Sequence, residues 1–162
     1  MRAQTACLTL LLLASVATAA RAAAQQSPNK AIEDEVIRIT KAQWAAEMQR
    51  NTAEAMSHIA TEYTEFNSDY ATRLEGKDLN TRLEDAGFKD SGKTLAAEMI
   101  NPKVQVYGNV AILSYNYVGV VQDKDGKNMP VRAKSTRVYV KQGSDWMLVH
   151  GNFGYDPLPG TR

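Results

Sequence analysis

Long runs of strand-forming residues fill the second half of the chain, and their length constrains the fold more than any other feature. Val110 to Val121 is an unbroken run of twelve residues rich in β-branched and aromatic side chains. At about 3.3 Å per residue such a strand spans ~40 Å, too long to lie flat over the core of a small domain. The strand must therefore bend, and we expect the bend at Gly119.

Three more runs predict three more strands, and short turn sequences separate them. The runs are Leu95 to Tyr107, Val131 to Lys141 and Asp145 to Phe153. The turns are Gly108-Asn109, Asp123 to Gly126 and Gly143-Ser144. Strands joined by such turns pair as antiparallel neighbours. A shorter strand is predicted earlier in the chain, at Tyr63 to Phe66.

The first half of the chain is predicted to be helical. A proline in the first turn indicates a helix from Pro28 to about Arg50. Asn51 with Glu54 three residues later resembles a capping box and predicts a second, shorter helix. A third helix is expected from Lys77 to Ala86, ended by Gly87. This order predicts an α+β fold with N-terminal helices packed on a strongly curved antiparallel sheet.

The first 24 residues have the order of a secretory signal peptide. Arg2 gives a positive start, Leu8 to Val16 is a short apolar stretch, and small residues follow up to Ala24. A membrane anchor is the alternative, but a spanning helix needs about 20 predominantly apolar residues. We expect cleavage after Ala24 and a periplasmic or secreted protein without membrane attachment. Residues 25–30 then form a polar leader, 31–154 the domain and 155–162 a tail.

Removal of this segment changes the charge balance and the cysteine content. Without Arg2 and Arg21, the 19 basic residues become 17 against 18 acidic ones, a net charge of −1. A near-neutral surface argues against a nucleic-acid partner. The only cysteine, Cys7, leaves with the signal peptide, so the mature chain forms no disulfide.

No metal or cofactor is predicted. Asp123 to Gly126 resembles the start of a calcium loop, but the required glycine and glutamate positions hold Asn128 and Lys134. His58 is expected on the surface of the second helix, and two histidines without a cysteine make a transition-metal site improbable.

Four segments carry a resemblance to a known family. They are Glu35 to Thr40, Asn101 to Gly108, Ser135 to Tyr139 and Gly143 to His150. In this order they are similar to the association domain of calcium/calmodulin-dependent kinase II and its bacterial relatives. That domain belongs to the nuclear transport factor 2-like (NTF2-like, SnoaL-like) superfamily. The resemblance covers about Ala31 to Gly154 and implies the cone-shaped NTF2-like fold and a homodimer or larger homo-oligomer.

The resemblance also implies a pocket lined by arginines between the first helix and the sheet. Arg137 falls on one of the family's arginine positions. At the matching position in the preceding strand, this chain has Tyr117. Near the third helix, Arg82 is offset by one residue from the position at which the family has an arginine. The family's paired histidines correspond to His150 and Asn152.

Alternation along the strands groups the candidate ligand-binding residues independently of the resemblance, because side chains two residues apart share a face. The pairs are Arg137 with Tyr139, Tyr115 with Tyr117, and His150 with Asn152. Polar residues in neighbouring strands predict a lined cavity; the alternative is a solvent-exposed sheet face. Arg137 in a pocket needs a carboxylate or an anionic ligand. Its own strand offers no acidic residue, so a carboxylate has to come from Asp69, Glu65 or elsewhere on the helical side.

Two residues are candidates for a general base. Asp69 follows the first predicted strand, where related isomerases and cyclases place their base, and the alternative is an aspartate that caps its own turn. His150 is either a pocket acid/base or a structural histidine bonded to the backbone. A buried Asp69 facing the tyrosines favours an enzyme, whereas an exposed one removes its best base.

Three functions remain open, because this superfamily supports all of them on one scaffold. The first is an exported domain that binds a small polar or anionic organic molecule and forms homo-oligomers. The second is an isomerase or cyclase with Asp69 or His150 as base and Tyr115 or Tyr117 as hydrogen-bond donor. The third is a purely structural oligomerisation hub.

Overall fold

A computed structural model describes residues 28–90 and 92–156 of the chain. The predicted signal peptide, the start of the polar leader and the end of the tail lie outside these residues. Residues 28–32 belong to one compact unit. The described residues from Glu33 onward belong to a second unit, which carries the sheet and the cavity described below.

Three helices lie within the described residues: α1 at Pro28–Met48, α2 at Thr52–Ala55 and α3 at Lys77–Asp90. The side chain of Asn51 caps α2, because it accepts a 3.2 Å hydrogen bond from the main-chain N–H of Glu54. Helix α2 is shorter than expected, since the chain turns after Ala55 and enters a strand. Helix α3 is longer than expected, because it continues through Gly87.

The strands are β1 at Ile59–Asn67, β2 at Leu74–Glu75, β3 at Lys93–Tyr107, β4 at Val110–Gln122, β5 at Asn128–Gln142 and β6 at Asp145–Tyr155. The four long strands β3 to β6 lie where the sequence predicts them. Strand β1 begins at Ile59 instead of Tyr63, and β2 is too short to show an alternating pattern. Strand β6 continues to Tyr155, into the segment expected to be the tail.

The strands form one sheet with the order β2-β1-β6-β5-β4-β3. All neighbouring pairs are antiparallel except β1 and β6, which run parallel with Thr64 opposite His150 and Glu65 opposite Gly151. The predicted curved antiparallel sheet is confirmed with this one parallel pair, which makes the sheet mixed. These two strands are not consecutive, so no hairpin imposes opposite directions on them.

Breaks in the strand register accompany the curvature of the sheet. In β3 they lie between Thr94 and Ala96 and between Ile100 and Lys103, and Asn101 there has a positive φ of 52°. Such bulges bend a strand and increase its twist. Strand β4 keeps continuous pairing to β5 through Gly119, the residue at which the sequence predicts the bend.

The part of helix α1 from Glu33 onward packs on one face of the sheet, called the inner face here. Residues opposite one another in the register point to the same face, so Leu113, Arg137 and Gly151 share it across β4, β5 and β6. Tyr139 contacts α1 on this face, since its hydroxyl lies 2.8 Å from the hydroxyl of Thr40. Thr40 in turn donates to the carbonyl of Val36 at 2.9 Å.

The centre of the core lies around this contact. Val36, Thr40, Leu113 and Tyr139 have no solvent-exposed surface. Within the described residues, no buried side-chain nitrogen or oxygen lacks a hydrogen-bond partner. The polar Thr40–Tyr139 pair is therefore a satisfied part of the core, and it fixes the position of α1 over β5.

Candidate ligand-binding site

A cavity of about 720 Å³ lies between helices α1 and α3 and the inner face of the sheet. Its volume is within the range of small-molecule sites, ~300–1,000 Å³. Polar side chains from both helices and from the sheet line it, among them Gln43, Glu47, Tyr63, Glu65, Asn80, Glu84, Tyr115, Tyr117 and Arg137.

Arg137 forms the basic part of the cavity wall, and its side chain is only 4% exposed. Its Nε donates a 2.9 Å hydrogen bond to the hydroxyl of Tyr115, and its Nη1 donates a 2.6 Å bond to the side-chain carbonyl of Gln43. The guanidinium lies over the ring of Phe153, 5.1 Å from its centroid. Among the described residues, no carboxylate forms an ion pair with Arg137.

The Arg137 side chain carries its positive charge in this setting. Burial by itself lowers the pKa of a guanidinium, but the acidic groups around it, Tyr115 and Tyr139 first and Glu47 last, raise the pKa of Arg137 above its ordinary value. A guanidinium stays protonated at every pH at which proteins are folded. The cavity therefore contains a buried cation whose direct hydrogen-bond partners are neutral.

Gln43 connects this cation to an acidic side chain, that of Glu47. Its carbonyl oxygen accepts from Arg137, and its Nε2 donates a 2.8 Å hydrogen bond to Glu47. Both ends of the amide are used, so its orientation is fixed. Gln43 and Glu47 are four residues apart on α1 and therefore lie on the same side of the helix.

Glu65 is the most firmly held acidic residue of the wall, with 7% of its surface exposed. Its carboxylate accepts hydrogen bonds from Tyr63 at 2.8 Å, Asn67 at 2.9 Å and Asn80 at 3.2 Å. Burial, together with the charge of Glu65, raises the pKa of the Tyr63 phenol, which is thus a neutral donor. Three donors compensate the carboxylate for the water it has lost.

Glu84 and Glu47 add two more carboxyl groups to the same wall. Burial raises the pKa of Glu84 to about 7, and the negative charges of Glu47, Glu65 and Asp85 contribute further. Burial also raises the pKa of Glu47, although Arg137 and the bond from Gln43 act in the opposite direction. Loss of water on burial is the main cause of both shifts, and like charges in the same partly enclosed space add to it.

Aromatic rings form the apolar part of the wall. Trp44 packs edge-on against Tyr115 and Tyr117, with ring centroids 5.5 Å and 5.3 Å apart. Gly119 provides space for this cluster, because a Cβ atom there would lie 2.7 Å from the Tyr117 hydroxyl. The glycine predicted to bend the strand thus permits a close approach.

The structure separates the six residues grouped as ligand-binding candidates. Arg137, Tyr115 and Tyr117 line the cavity, and Tyr139 lies beneath it in the core. His150 and Asn152 lie on the outer face of the sheet, because they are the register partners of Val138 and Thr136, which point away from α1.

His150 makes its contacts on that outer face. Its Nδ1 lies 2.9 Å from the hydroxyl of Thr64, and its ring packs edge-on against Phe66 at 6.0 Å. The paired-histidine positions implied by the resemblance are therefore placed away from Arg137. His58 also differs from expectation: it lies half-buried in the turn before β1, with its Nδ1 3.1 Å from the carbonyl of Trp146.

Asp69 is exposed and lies at the edge of the cavity. Its main-chain N–H donates a 3.1 Å hydrogen bond to the side chain of Asn67, so Asn67 caps this turn. By the criterion stated from the sequence, an exposed Asp69 removes the best candidate base of the enzyme hypothesis.

Sequence reasoning did not select Gln43, Glu47 and Glu84 as site residues, and it considered Glu65 only as a partner for Arg137. Two signals were available. Gln43 and Glu47 are four residues apart on one helix, as are Asn80 and Glu84 on another, so each pair shares a side. A helix pattern shows which residues share a side but not which element that side faces.

Within residues 28–90 and 92–156, no helix is long and apolar enough to cross a membrane. The same residues contain no group of three or more histidine, cysteine, aspartate or glutamate side chains placed to hold a metal ion.

Helices followed by a curved, mainly antiparallel sheet around an internal cavity define the NTF2-like class of domains. An NTF2-like superfamily protein from Salmonella enterica has the same fold, with a TM-score of 0.72 and 13% identity over 82% of this chain and 96% of that one. An NTF2-like protein from Pseudomonas putida gives a TM-score of 0.68 and 18% identity over 82% and 92%. No curated protein matches the chain.

The association domain of the C. elegans calcium/calmodulin-dependent kinase II is also similar, with a TM-score of 0.65 and 21% identity over 77% of this chain and 96% of that domain. The sequence itself matches the family of the calcium/calmodulin dependent protein kinase II association domain over residues 32–152. This chain belongs to that family.

Proposed function

We propose that this chain is an exported, homo-oligomeric domain that binds a small organic molecule in its cavity through a carboxylate held by Arg137. One observation carries the proposal: Arg137 is 4% exposed, lines the cavity and has no ion-pair partner among the described residues. A buried charge needs compensation, and a ligand carboxylate supplies it.

A carboxylate fits this wall better than a phosphate. A guanidinium binds a carboxylate in a bidentate arrangement that uses two parallel N–H donors. The carboxyl groups of Glu47, Glu65 and Glu84 line the same cavity, and that of Asp69 lies at its edge. A phosphate with close to two negative charges faces stronger repulsion from them than a carboxylate with one. The tyrosine hydroxyls of the wall provide neutral hydrogen bonds to the rest of the ligand.

Assembly into homo-oligomers is supported by family membership, since the related domain from C. elegans is an association domain. The outer face of the sheet is the surface we propose for the contact. Phe66 and Ile100, on β1 and β3, point to this face and are 48% and 41% exposed in the single chain. Export is supported by the sequence of residues 1–24, and it predicts a mature protein that begins near Gln25.

The test of the ligand-binding function begins with native purification followed by mass spectrometry of the intact assembly and of the small molecules released from it. The same measurement is made on Arg137→Ala and Arg137→Lys. We expect ligand retention to be lost in Arg137→Ala and partly restored in Arg137→Lys, because lysine keeps the charge without the two-donor fork. Arg82→Ala is the matched control, because Arg82 is exposed and does not line the cavity.

Retention of the same molecule by a folded Arg137→Ala variant would refute the role of Arg137. A structural hub without an occupied cavity is the second candidate function, and family membership favours it. If the chain is such a hub, the wild-type protein carries no bound molecule, and Arg137→Ala forms an oligomer of the same mass as the wild-type protein. The mass spectrum of the wild-type protein therefore separates the two functions.

A further inference from the structure

Acidic side chains in the cavity outnumber the basic ones that are free to meet a ligand. Glu47, Glu65 and Glu84 come from α1, β1 and α3, three different elements around one space. Arg132 also lines the cavity, but it pairs with Asp156 at 3.3 Å. Arg137 is thus the one basic side chain among the described lining residues that lacks a carboxylate partner.

The three carboxyl groups differ in how far the protein itself satisfies them. Glu65 accepts three hydrogen bonds and Glu47 accepts one. The Glu84 carboxyl receives no hydrogen bond from a described residue, although Glu84 is only partly exposed and lines the cavity. Glu47 and Glu84 line the cavity and therefore have acceptor capacity left for a ligand.

We infer that the ligand of this cavity is amphoteric: its carboxylate binds Arg137, and an amine or guanidine group of the same molecule binds between Glu47 and Glu84. This inference rests on the proposed function and specifies its substrate class. Two observations carry it together, namely a buried guanidinium without a counter-ion and carboxyl groups with open acceptor positions in the same cavity. A purely anionic ligand neutralises the Arg137 guanidinium, but the carboxyl groups in the same cavity repel it.

An organic cation fits the acidic part better than a metal ion. A metal site needs several ligands that converge on one point, and the described residues contain no such group of three or more. An ammonium group has three donors directed apart and is satisfied by carboxylates on different elements. The arrangement of Glu47 and Glu84 on two helices therefore suits an ammonium or guanidinium group.

The distance between the two binding positions is short. One amide group, that of Gln43, separates the Arg137 guanidinium from the Glu47 carboxylate, with bonds of 2.6 Å and 2.8 Å at its ends. A molecule that meets both therefore carries its carboxylate and its amine a few bonds apart. Small amino acids and similar zwitterions have this form.

The test compares matched probes on the purified chain by isothermal titration calorimetry at pH 8. One series is 3-aminopropanoate, propanoate and propylamine; the other is 5-aminopentanoate, pentanoate and pentylamine. We expect the amino acid of at least one series to bind at least tenfold more tightly than both of its monofunctional analogues. In the double variant Glu47→Gln/Glu84→Gln, we expect the affinity for the amino acid to fall to the affinity for the plain carboxylate of the same series. The plain carboxylate should bind the double variant at least as tightly as it binds the wild-type chain.

Glu54→Gln is the control, because Glu54 is exposed on α2 and does not line the cavity; its binding should equal that of the wild-type chain. Equal affinity for an amino acid and its plain carboxylate, both lost in Arg137→Ala, overturns the inference and leaves the proposed function intact. A preference for the amino acid that survives in the double variant also overturns it. Absence of binding by every carboxylate and amino acid counts against the proposed function itself.

Discussion

Arg137 donates its shortest side-chain hydrogen bond, 2.6 Å, to the carbonyl oxygen of Gln43 on the opposing helix. A neutral amide therefore stands where a carboxylate would neutralise the guanidinium within the protein. The other end of the amide is bonded to Glu47. This arrangement holds an acidic and a basic group near each other without joining them, and it leaves both charges available to a bound molecule.

Replacement of that amide provides a direct test. In Gln43→Glu, the new carboxylate pairs with Arg137 and neutralises the charge that would otherwise attract a ligand carboxylate. We expect the affinity for propanoate or pentanoate, whichever binds the wild-type chain, to fall at least tenfold in calorimetry. Gln49→Glu, which adds the same charge at an exposed position after α1, serves as the control. Unchanged affinity in Gln43→Glu would contradict a carboxylate position at Arg137.

The Thr40–Tyr139 contact predicts unequal effects of two single changes. Thr40 donates to the carbonyl of Val36, so the Tyr139 hydroxyl donates to Thr40. Thr40→Val leaves a fully buried phenol without this acceptor and should cost about 1–3 kcal/mol of the free energy of unfolding, whereas Tyr139→Phe should cost about 0.5–1.5 kcal/mol. Urea unfolding measures both. A larger loss in Tyr139→Phe than in Thr40→Val would show that the phenol has another essential partner.

Gly151 and Gly154 on β6 form a matched pair for a test of packing. A Cβ atom at Gly151 would lie 2.6 Å from the Tyr63 hydroxyl, whereas the nearest atom at Gly154 is 3.7 Å away. Gly151→Ala should displace Tyr63 from Glu65 and destabilise the domain by about 1–3 kcal/mol. Gly154→Ala should change stability by less than about 0.5 kcal/mol. Equal midpoints of thermal unfolding for the two variants would contradict this close packing.

Glu84 makes stability depend on pH in a defined direction. Its pKa is raised from 4.5 to about 7 in the folded protein, so the folded state holds this proton more tightly than the unfolded state. The free energy of unfolding therefore falls as the pH rises from about 4.5 to about 7. Glu47 on α1, Glu65 on β1 and Asp85 on α3 are the acidic groups that act on it.

Glu84→Gln cannot ionise and should not show this loss. We expect it to match the wild-type chain at pH 4.5 and to be more stable at pH 8 by on the order of 1 kcal/mol, after allowance for solvent screening. Thermal unfolding at pH 4.5, 6 and 8 measures the difference, with Glu54→Gln as the control. A difference that is constant across this range would show that Glu84 titrates at its ordinary pKa.

The oligomeric state is tested by multi-angle light scattering at micromolar concentration. We expect the mass of a dimer or a larger assembly. Phe66→Asp on the outer face should reduce the mass, because a charge there must be buried on assembly. Arg82→Asp, on the exposed side of α3, should leave it unchanged. A monomer for the wild-type chain would contradict the proposed assembly.

Much of the fold was predictable because its signals are local. Four long strand-forming runs with turn sequences between them are visible in the sequence, and Asn51 marks the start of α2 by its own capping bond. Gly143 has the positive φ of 64° that a tight turn requires. The parallel pairing of β1 and β6 has no local signal, since the two strands are far apart in the chain.

The sequence by itself determined which side chains share a face of each strand, and it grouped Arg137 with Tyr139 and His150 with Asn152. Only the tertiary structure decided that the first pair faces α1 and the second faces outward, because the register between β5 and β6 sets that relationship. The positions of Glu47 and Glu84 in the cavity wall likewise depend on how α1 and α3 are rotated about their axes over the sheet. That rotation results from packing of the whole core, so Glu47 and Glu84 come to line the same cavity as Arg137 only in the folded domain.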